Sequence, residues 1–162
     1  MSFQIRIVGH FYRESIIIID TIAGNTGTTS FMGADDRFTG TLETNGDRDW
    51  VRVELTSGDY IQINLNGVGG SGELSDPYLY LLDSNGDVVA ENDDGGGSYN
   101  SQITYAITQT GTYYIEASGY DDVETGDYEI ITQEVTPPSP LDSIAWGSGI
   151  EGNTTTTTDV ET

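Results

Sequence analysis

The chain has 162 residues, and its 27 acidic side chains against 5 arginines give a formal net charge of −22. Such a surface repels nucleic-acid phosphates and anionic membranes, and the composition excludes both as partners. There is no cysteine for a disulfide or a thiolate metal site, and no apolar run approaches the roughly 20 residues that span a bilayer. We expect one domain that is a monomer in solution.

Residues 1–34 are predicted to be an N-terminal segment and linker. Within them an isoleucine run predicts a strand at 15–19, and the small polar residues at 21–34 are typical of a linker. Charged and polar side chains interrupt the N-terminus, so it does not have the pattern of a simple signal peptide.

A regular alternation of apolar and polar residues begins near Arg37. It predicts strands at 38–42, 51–55, 61–65, 103–107, 113–117 and 128–132, and two apolar runs predict strands at 78–82 and 88–90. Short strands divided by Gly, Asn, Asp and Ser turns, with no amphipathic helix, are typical of an antiparallel β-sandwich or jelly roll of about eight strands. We assign it to residues 35–135, followed at 136–162 by a proline-rich hinge and the truncated start of another domain.

The stretch 75–101 has the pattern of a β-hairpin with carboxylates at its outer ends. Asp76 precedes the first strand, and Asp93 and Asp94 follow the second. Antiparallel pairing brings the start of one strand beside the end of the next, so these acids should meet at one edge of the sheet. Three carboxylates repel one another unless a cation lies among them, and oxygen ligands suit a hard cation. The sequence therefore predicts a calcium site.

Four further residues are candidate ligands at the same place. Asp47 and Asp49 lie at the start of a neighbouring strand, and Asn100 and Ser101 could add neutral oxygens. The alternative is that all of these are turn and strand-end residues of an acidic surface. Trp50, next to Asp49, is expected to be a core residue.

Two other groups of residues leave alternatives open. An acidic loop is either a solvated loop or a second cation site, and five tyrosines either pack along strands or form a binding face for a polysaccharide or a protein. The acidic loop contains Asp121, Asp122, Glu124 and Asp127, and the tyrosines are Tyr99, Tyr105, Tyr113, Tyr114 and Tyr120.

The sequence does not predict an active site. Its single histidine, His10, cannot complete a Ser-His-Asp set from the irregular N-terminus. Asp93 and Asp94 are adjacent in a glycine-rich loop, whereas a glycosidase holds its two carboxylates across a cleft. We expect no catalysis by this chain.

Several short motifs occur together between Asp35 and Val135. They are Phe38-Thr39-Gly40, Gly46-Asp47-Arg48-Asp49-Trp50, Asp76-Pro77-Tyr78-Leu79, Asp83-Ser84-Asn85-Gly86, Asn92-Asp93-Asp94-Gly95, Gly111-Thr112-Tyr113-Tyr114-Ile115 and Thr125-Gly126-Asp127-Tyr128. In this order and spacing they resemble the bacterial pre-peptidase C-terminal domains. The resemblance implies a calcium-binding β-sandwich of a secreted protease, located outside the cell, that aids stability, secretion or attachment to substrate.

The tail Leu141-Asp142-Ser143-Ile144-Ala145-Trp146-Gly147 resembles the opening of a serralysin-like zinc metallopeptidase domain. The His-Glu-x-x-His zinc motif of that class is absent from this chain. The resemblance implies that catalysis belongs to a following peptidase domain. That domain, calcium ions and an extracellular polymer are the expected partners.

Overall fold

The structure is a computed structural model, and it describes residues 20–138. The strand predicted at 15–19 and the tail from residue 139 onward lie outside the described residues. Within residues 20–138, no helix has the length and apolar character needed to cross a membrane.

The described residues form nine strands in two sheets. The strands are β1 (Phe31–Met32), β2 (Arg37–Leu42), β3 (Arg48–Leu55), β4 (Tyr60–Gly67), β5 (Pro77–Leu82), β6 (Val88–Asn92), β7 (Ser101–Ala106), β8 (Gly111–Gly119) and β9 (Gly126–Glu134). One sheet has the order β1-β3-β8-β5-β6 and the other β2-β9-β4-β7. All pairs are antiparallel except β1 with β3. The predicted all-β sandwich is confirmed, with one strand more than expected.

The period-two alternation of the sequence builds the core. On β3 the side chains of Val51, Val53 and Leu55 are buried while those between them face outward, and β4 repeats this pattern. The inward rows of both sheets meet in a single apolar cluster. Burying each such side chain contributes about 1.5–3 kcal/mol, so the alternation itself supplies most of the driving force.

Residues 20–34 differ from the linker that their composition predicted. β1 lies within this segment and pairs with β3, and Ile22 and Met32 are buried against the sandwich. A Cβ at Gly24 would lie 2.3 Å from the carbonyl oxygen of Arg48, so the segment crosses β3 at a distance that only glycine allows. As a result, Asp20 lies beside the start of β3.

The aromatic side chains on β3 and β8 differ from the sequence predictions. Because Asp49 and Val51 point inward, Trp50 points outward, where it is half-buried with its ring centroid 5.4 Å from that of Tyr114. The expectation that Trp50 is a core residue is therefore wrong. Tyr113 joins the core and Tyr114 the opposite face of β8, so the five tyrosines do not form one surface.

Candidate metal centres

Two groups of carboxylates lie at one end of the five-stranded sheet. β8 pairs with β3 and with β5, and its last residues oppose the first residues of both, with Arg48 opposite Ser118 and Pro77 opposite Gly119. The acids at the two strand starts are therefore separated by β8. The sequence suggested that Asp47 and Asp49 join the acids of the hairpin. In the structure they belong instead to a second group of acids.

The first group, here the Asp76 cluster, contains Asp76, Asp93 and Asp94. Each offers one carboxylate oxygen, and these oxygens lie within 4.8 Å of one another. The pairing of Leu79 with Asn92 brings the hairpin ends together, as the sequence predicted. A short 3₁₀ turn at Asp94–Gly96 follows β6 and places the last acid of the cluster.

The electrostatics of the Asp76 cluster favour a bound cation. Burial, and then repulsion from Asp93 and Asp94, raises the pKa of Asp76, and burial followed by repulsion from Asp94 raises the pKa of Asp93. The Oδ1 atoms of Asp76 and Asp93 are buried and have no hydrogen-bond partner in the described part of the chain. A cation among the three carboxylates would cancel their mutual repulsion and would give the two Oδ1 atoms the partner that they lack.

Asn100 and Ser101, the predicted neutral ligands, have other partners in the structure. Asn100 Oδ1 accepts a hydrogen bond from Gly67 N at 3.1 Å. The hydroxyl of Ser101 is fully buried within reach of three carbonyl oxygens, of Pro77 at 2.7 Å, Asn92 at 2.9 Å, and Asp93. Metal ligation by either residue stays a prediction, while Ser101 joins β7 to the hairpin ends.

Replacing Ser101 with alanine should destabilise the sandwich by about 1–3 kcal/mol, because the carbonyls around it lose their hydroxyl donor while staying buried. Urea unfolding of both proteins in excess EDTA measures this without contribution from calcium. Ser84→Ala, at an exposed turn position, is the matched control and should change the stability little. Equal stability of Ser101→Ala and the parent chain would contradict this role of the hydroxyl.

The second group, here the Asp49 cluster, contains Asp20, Asp47 and Asp49, again with one oxygen from each within 4.8 Å of the others. Asp49 comes from β3, Asp47 from the turn before it, and Asp20 from the segment that crosses the start of β3. Glu43 lies beside the group: its backbone N–H donates to Asp47 Oδ2 at 2.7 Å. Its own Oε2 is buried and has no partner among the described residues.

Asp49 is the most unusual acid of the described chain because its side chain is 0% exposed. The hydroxyl of Tyr128 donates to its Oδ2 at 2.6 Å, and its Oδ1 has no partner within residues 20–138. Burial raises the pKa of Asp49 to about 7, although the Tyr128 hydrogen bond acts in the opposite direction. Nearby Asp47, Glu43 and Asp20 raise the pKa further, because each disfavours a second negative charge.

The Asp49 cluster has the donor set of a hard-cation site. All of its ligand atoms are carboxylate oxygens, which suit calcium or magnesium rather than a soft transition metal. Asp20 and Glu43 were missed in the sequence because nothing in their spacing connects them to β3. The signal that could have found Asp49 is an acid at an inward position of an alternating strand.

The acidic loop after β8 does not form a third cluster. Asp122 pairs with Arg48 at 2.7 Å, Glu124 accepts from the Ser75 hydroxyl at 2.5 Å, and Asp127 Oδ1 accepts from the Thr41 hydroxyl at 2.6 Å. The described residues contain the Asp76 and Asp49 clusters as groups of three acids with metal-ligand spacing, and no other.

Comparison with known proteins gives a family for the central part of the chain. Residues 47–119 match the family model of the bacterial pre-peptidase C-terminal domain. The crystal structure of the pre-peptidase C-terminal domain of a collagenase from Bacillus anthracis is similar in fold, with a TM-score of 0.50 and 20% sequence identity. That match covers 64% of this chain and 93% of the other.

Two curated proteins also match parts of the sequence. A probable subtilase-type serine protease of Deinococcus radiodurans is 35% identical over 72 residues, which are 44% of this chain and 10% of that protein. Zinc finger protein 711 of Danio rerio is 27% identical over 124 residues, 76% of this chain and 15% of that protein. The chain thus spans less than a sixth of the length of either curated relative.

The family match runs from the turn before β3 to the end of β8. It contains every acid of the Asp76 cluster and two acids of the Asp49 cluster, whereas Asp20 lies outside it. The fold, the matching motifs and the likeness to a solved member agree. Residues 47–119, within this β-sandwich, match the bacterial pre-peptidase C-terminal domain, and the fold is similar to that of a solved domain of this family.

Proposed function

We propose that this chain is a non-catalytic, calcium-binding accessory domain of a secreted bacterial protease, and that its acidic clusters hold the cation outside the cell. The observation that carries the proposal is the buried Oδ1 of Asp49, which has no partner in the described residues and faces two further carboxylates. An apolar interior does not retain an uncompensated carboxylate without cost. A divalent cation bound there compensates the charge and supplies the missing contact.

Asp20, Asp47 and Asp49 would hold one calcium ion, with Glu43 beside them, and Asp76, Asp93 and Asp94 would hold another. The first ion would join the segment before β1 to β3, and the second would join the two ends of the β5–β6 hairpin. Calcium accepts six to eight oxygen ligands in irregular geometry, which fits carboxylates from loops better than the strict octahedron of magnesium does. We expect extracellular-module affinity, on the order of 10⁻⁴–10⁻³ M.

The family match and the subtilase-type relative support attachment to a peptidase. In this proposal the peptidase domain performs the catalysis, and the sandwich gives the secreted protein a rigid, protease-resistant neighbour once calcium is bound. A following metallopeptidase domain, which the tail resembles, is part of the proposal.

Thermal unfolding of the full chain in excess EDTA, in millimolar calcium and in millimolar magnesium tests the proposal. We expect a rise in Tm of several degrees that is specific to calcium, since calcium at about one to ten times the Kd of a site adds about 0.4–1.4 kcal/mol per site to stability. Asp20→Asn/Asp47→Asn and Asp76→Asn/Asp94→Asn should each remove part of the rise.

Glu54→Gln/Asp87→Asn is the matched control, because it removes two negative charges from exposed positions outside both clusters. It should keep the whole calcium effect. If the control loses as much of the rise as the cluster variants, or magnesium acts as well as calcium, the acids provide general surface charge and the site is refuted.

A further inference from the structure

A groove of about 230 Å³ lies on the outer face of the five-stranded sheet, away from the core. Its walls are the outward side chains of β3 and β5 and the loop that follows β8. The lining residues are Arg48, Tyr78, Tyr80, Gly119, Tyr120, Asp121 and Asp122. This groove brings together three tyrosines and two carboxylates of the loop. Such a group is unusual on a sheet face that does not pack against the core.

One end of the groove already binds a cationic side chain of the protein itself. The guanidinium of Arg48 lies 5.7 Å from the ring centroid of Tyr80, and it pairs with Glu116 at 2.5 Å and Asp122 at 2.7 Å. An aromatic ring with flanking carboxylates is a favourable environment for a guanidinium or ammonium group. Arg48 thus shows which chemistry this surface accepts.

The other end repeats the same combination without an arginine of the described chain beside it. Tyr78 stacks on Tyr80 with centroids 4.8 Å apart, so Tyr80 is covered by Tyr78 and by Arg48. Tyr78 shares the groove with Tyr120, which is 42% exposed, and with the exposed carboxylate of Asp121. A second cationic group would find two phenol rings and a carboxylate there.

The loop that carries these residues holds a costly backbone conformation. Asp121 and Asp122 both have left-handed φ angles, of 52° and 58°. Aspartate tolerates this region better than most residues, yet two in succession are uncommon. The loop backbone is fixed by Tyr120 N, which donates to the carbonyl of Asp76 at 2.9 Å, and the carboxylate of Asp122 pairs with Arg48 at 2.7 Å.

We propose that this groove binds an arginine or lysine side chain of a protein segment, with the cation between Tyr78 and Tyr120 and against Asp121. Charge complementarity decides the class of partner: the groove is lined by the carboxylates of Asp121 and Asp122 and by one arginine that already pairs with Glu116 and Asp122, and the whole chain carries −22. An anionic polymer is repelled, whereas a basic peptide gains from both the rings and the acids. The groove is separate from the Asp49 cluster, whereas it borders the Asp76 cluster, because the carboxylate of Asp121 lies close enough to Asp76 and Asp93 to raise the pKa of both.

The test is an NMR titration of the ¹⁵N-labelled full chain with the peptide acetyl-Gly-Arg-Gly-Arg-Gly-amide. The same peptide with citrulline for arginine is the control, since citrulline keeps the shape and loses the charge. We expect saturable shifts at residues 119–123 and along β5 with the arginine peptide, and at least about a twofold weaker response with citrulline.

Two pairs of variants distinguish binding in the groove from a general attraction of the basic peptide to the acidic surface. Asp121→Asn, which keeps a residue suited to left-handed φ, and Tyr78→Leu should each weaken binding about two- to fivefold. Asp87→Asn, in an exposed turn, and Phe31→Leu, an exposed ring on β1, remove the same groups elsewhere and should leave binding unchanged. Equal losses in the controls, equal binding of the citrulline peptide, or a stronger response of these residues to a neutral cello-oligosaccharide would overturn the proposal.

Discussion

Asp49→Asn is expected to abolish the part of the calcium-dependent rise in Tm that comes from the Asp49 cluster, and to change how stability depends on pH in EDTA. The Asp49 carboxylate is 0% exposed, and one of its oxygens has no hydrogen-bond partner among the described residues. The asparagine amide carries no charge, so a calcium ion at this cluster would lose the negative charge at its centre. The neutral side chain keeps its volume and can still accept the hydrogen bond from Tyr128.

The pH effect follows from the raised pKa of Asp49, about 7 against an ordinary value of 3.8. Between these values the folded protein holds a proton that the unfolded chain has released, so without calcium the stability decreases as pH rises from about 4 to about 7. The full shift corresponds to roughly 4 kcal/mol, an upper figure for a single buried acid. The decrease is absent in Asp49→Asn.

Urea unfolding in EDTA gives the change in the free energy of unfolding between pH 5 and pH 8 for the parent chain and for Asp49→Asn. Comparing these two changes cancels the constant cost of burying the amide, which is the same at both pH values. Calcium should act in the opposite direction, since it binds the ionised carboxylate and its effect grows with pH. If both proteins lose equal stability between the two pH values, and both keep the same calcium response, the pKa of Asp49 is not raised and Asp49 does not bind calcium. The Asp76 cluster would then be the remaining calcium site.

Tyr128→Ala is expected to destabilise the sandwich by about 3–5 kcal/mol, the cost of removing a large aromatic side chain from a packed core. Tyr128 is 0% exposed, and its ring lies over Gly40 so closely that a Cβ there would be 2.3 Å from the phenol oxygen. The variant therefore leaves a cavity and also removes the hydrogen-bond donor of Asp49.

Tyr128→Phe separates these two effects, because it keeps the ring and removes only the donor. We expect a loss of about 1–3 kcal/mol in EDTA at pH 8, where Asp49 is ionised, and a smaller loss at pH 5, where it is protonated. Tyr99→Ala is the control for removing a tyrosine, since Tyr99 is 63% exposed, and it should have little effect. A Tyr128→Ala protein as stable as this control would contradict the packing of the core described above.

The sequence predicted the sandwich because its signals are local. Each strand between β2 and β9 carries its own apolar signal, which is a period-two pattern in strands such as β3 and β4 and an apolar run in β5, and glycine- or aspartate-containing turns separate many of them. β1 was missed because two residues are too few to show a period, and it is held by pairing with β3 rather than by its own pattern. Trp50 was misplaced because its hydrophobicity was weighed above the phase of its strand, in which Val51 and Val53 already fix the inward side.

The candidate site was predictable only where hairpin geometry connects the residues. Asp76, Asp93 and Asp94 belong to one hairpin, so antiparallel pairing alone brings them together. The contact of Asp20 with Asp49 depends on where the first segment crosses β3, which no spacing rule gives. The inward direction of Asp49 was readable from the strand, but its partner Tyr128 lies on the other sheet, 79 residues away.

The strand order also has a consequence for how the protein is made. The last two strands of the described residues occupy interior positions, β8 between β3 and β5 and β9 between β2 and β4. The five-stranded sheet therefore cannot close on a nascent chain until the ribosome has released residues up to Gly119, and the four-stranded sheet cannot close until it has released residues up to Glu134. Loop closure over such distances must precede any gain from pairing. The described part of the chain therefore stays open during most of its synthesis, and each sheet closes only when its interior strand is added.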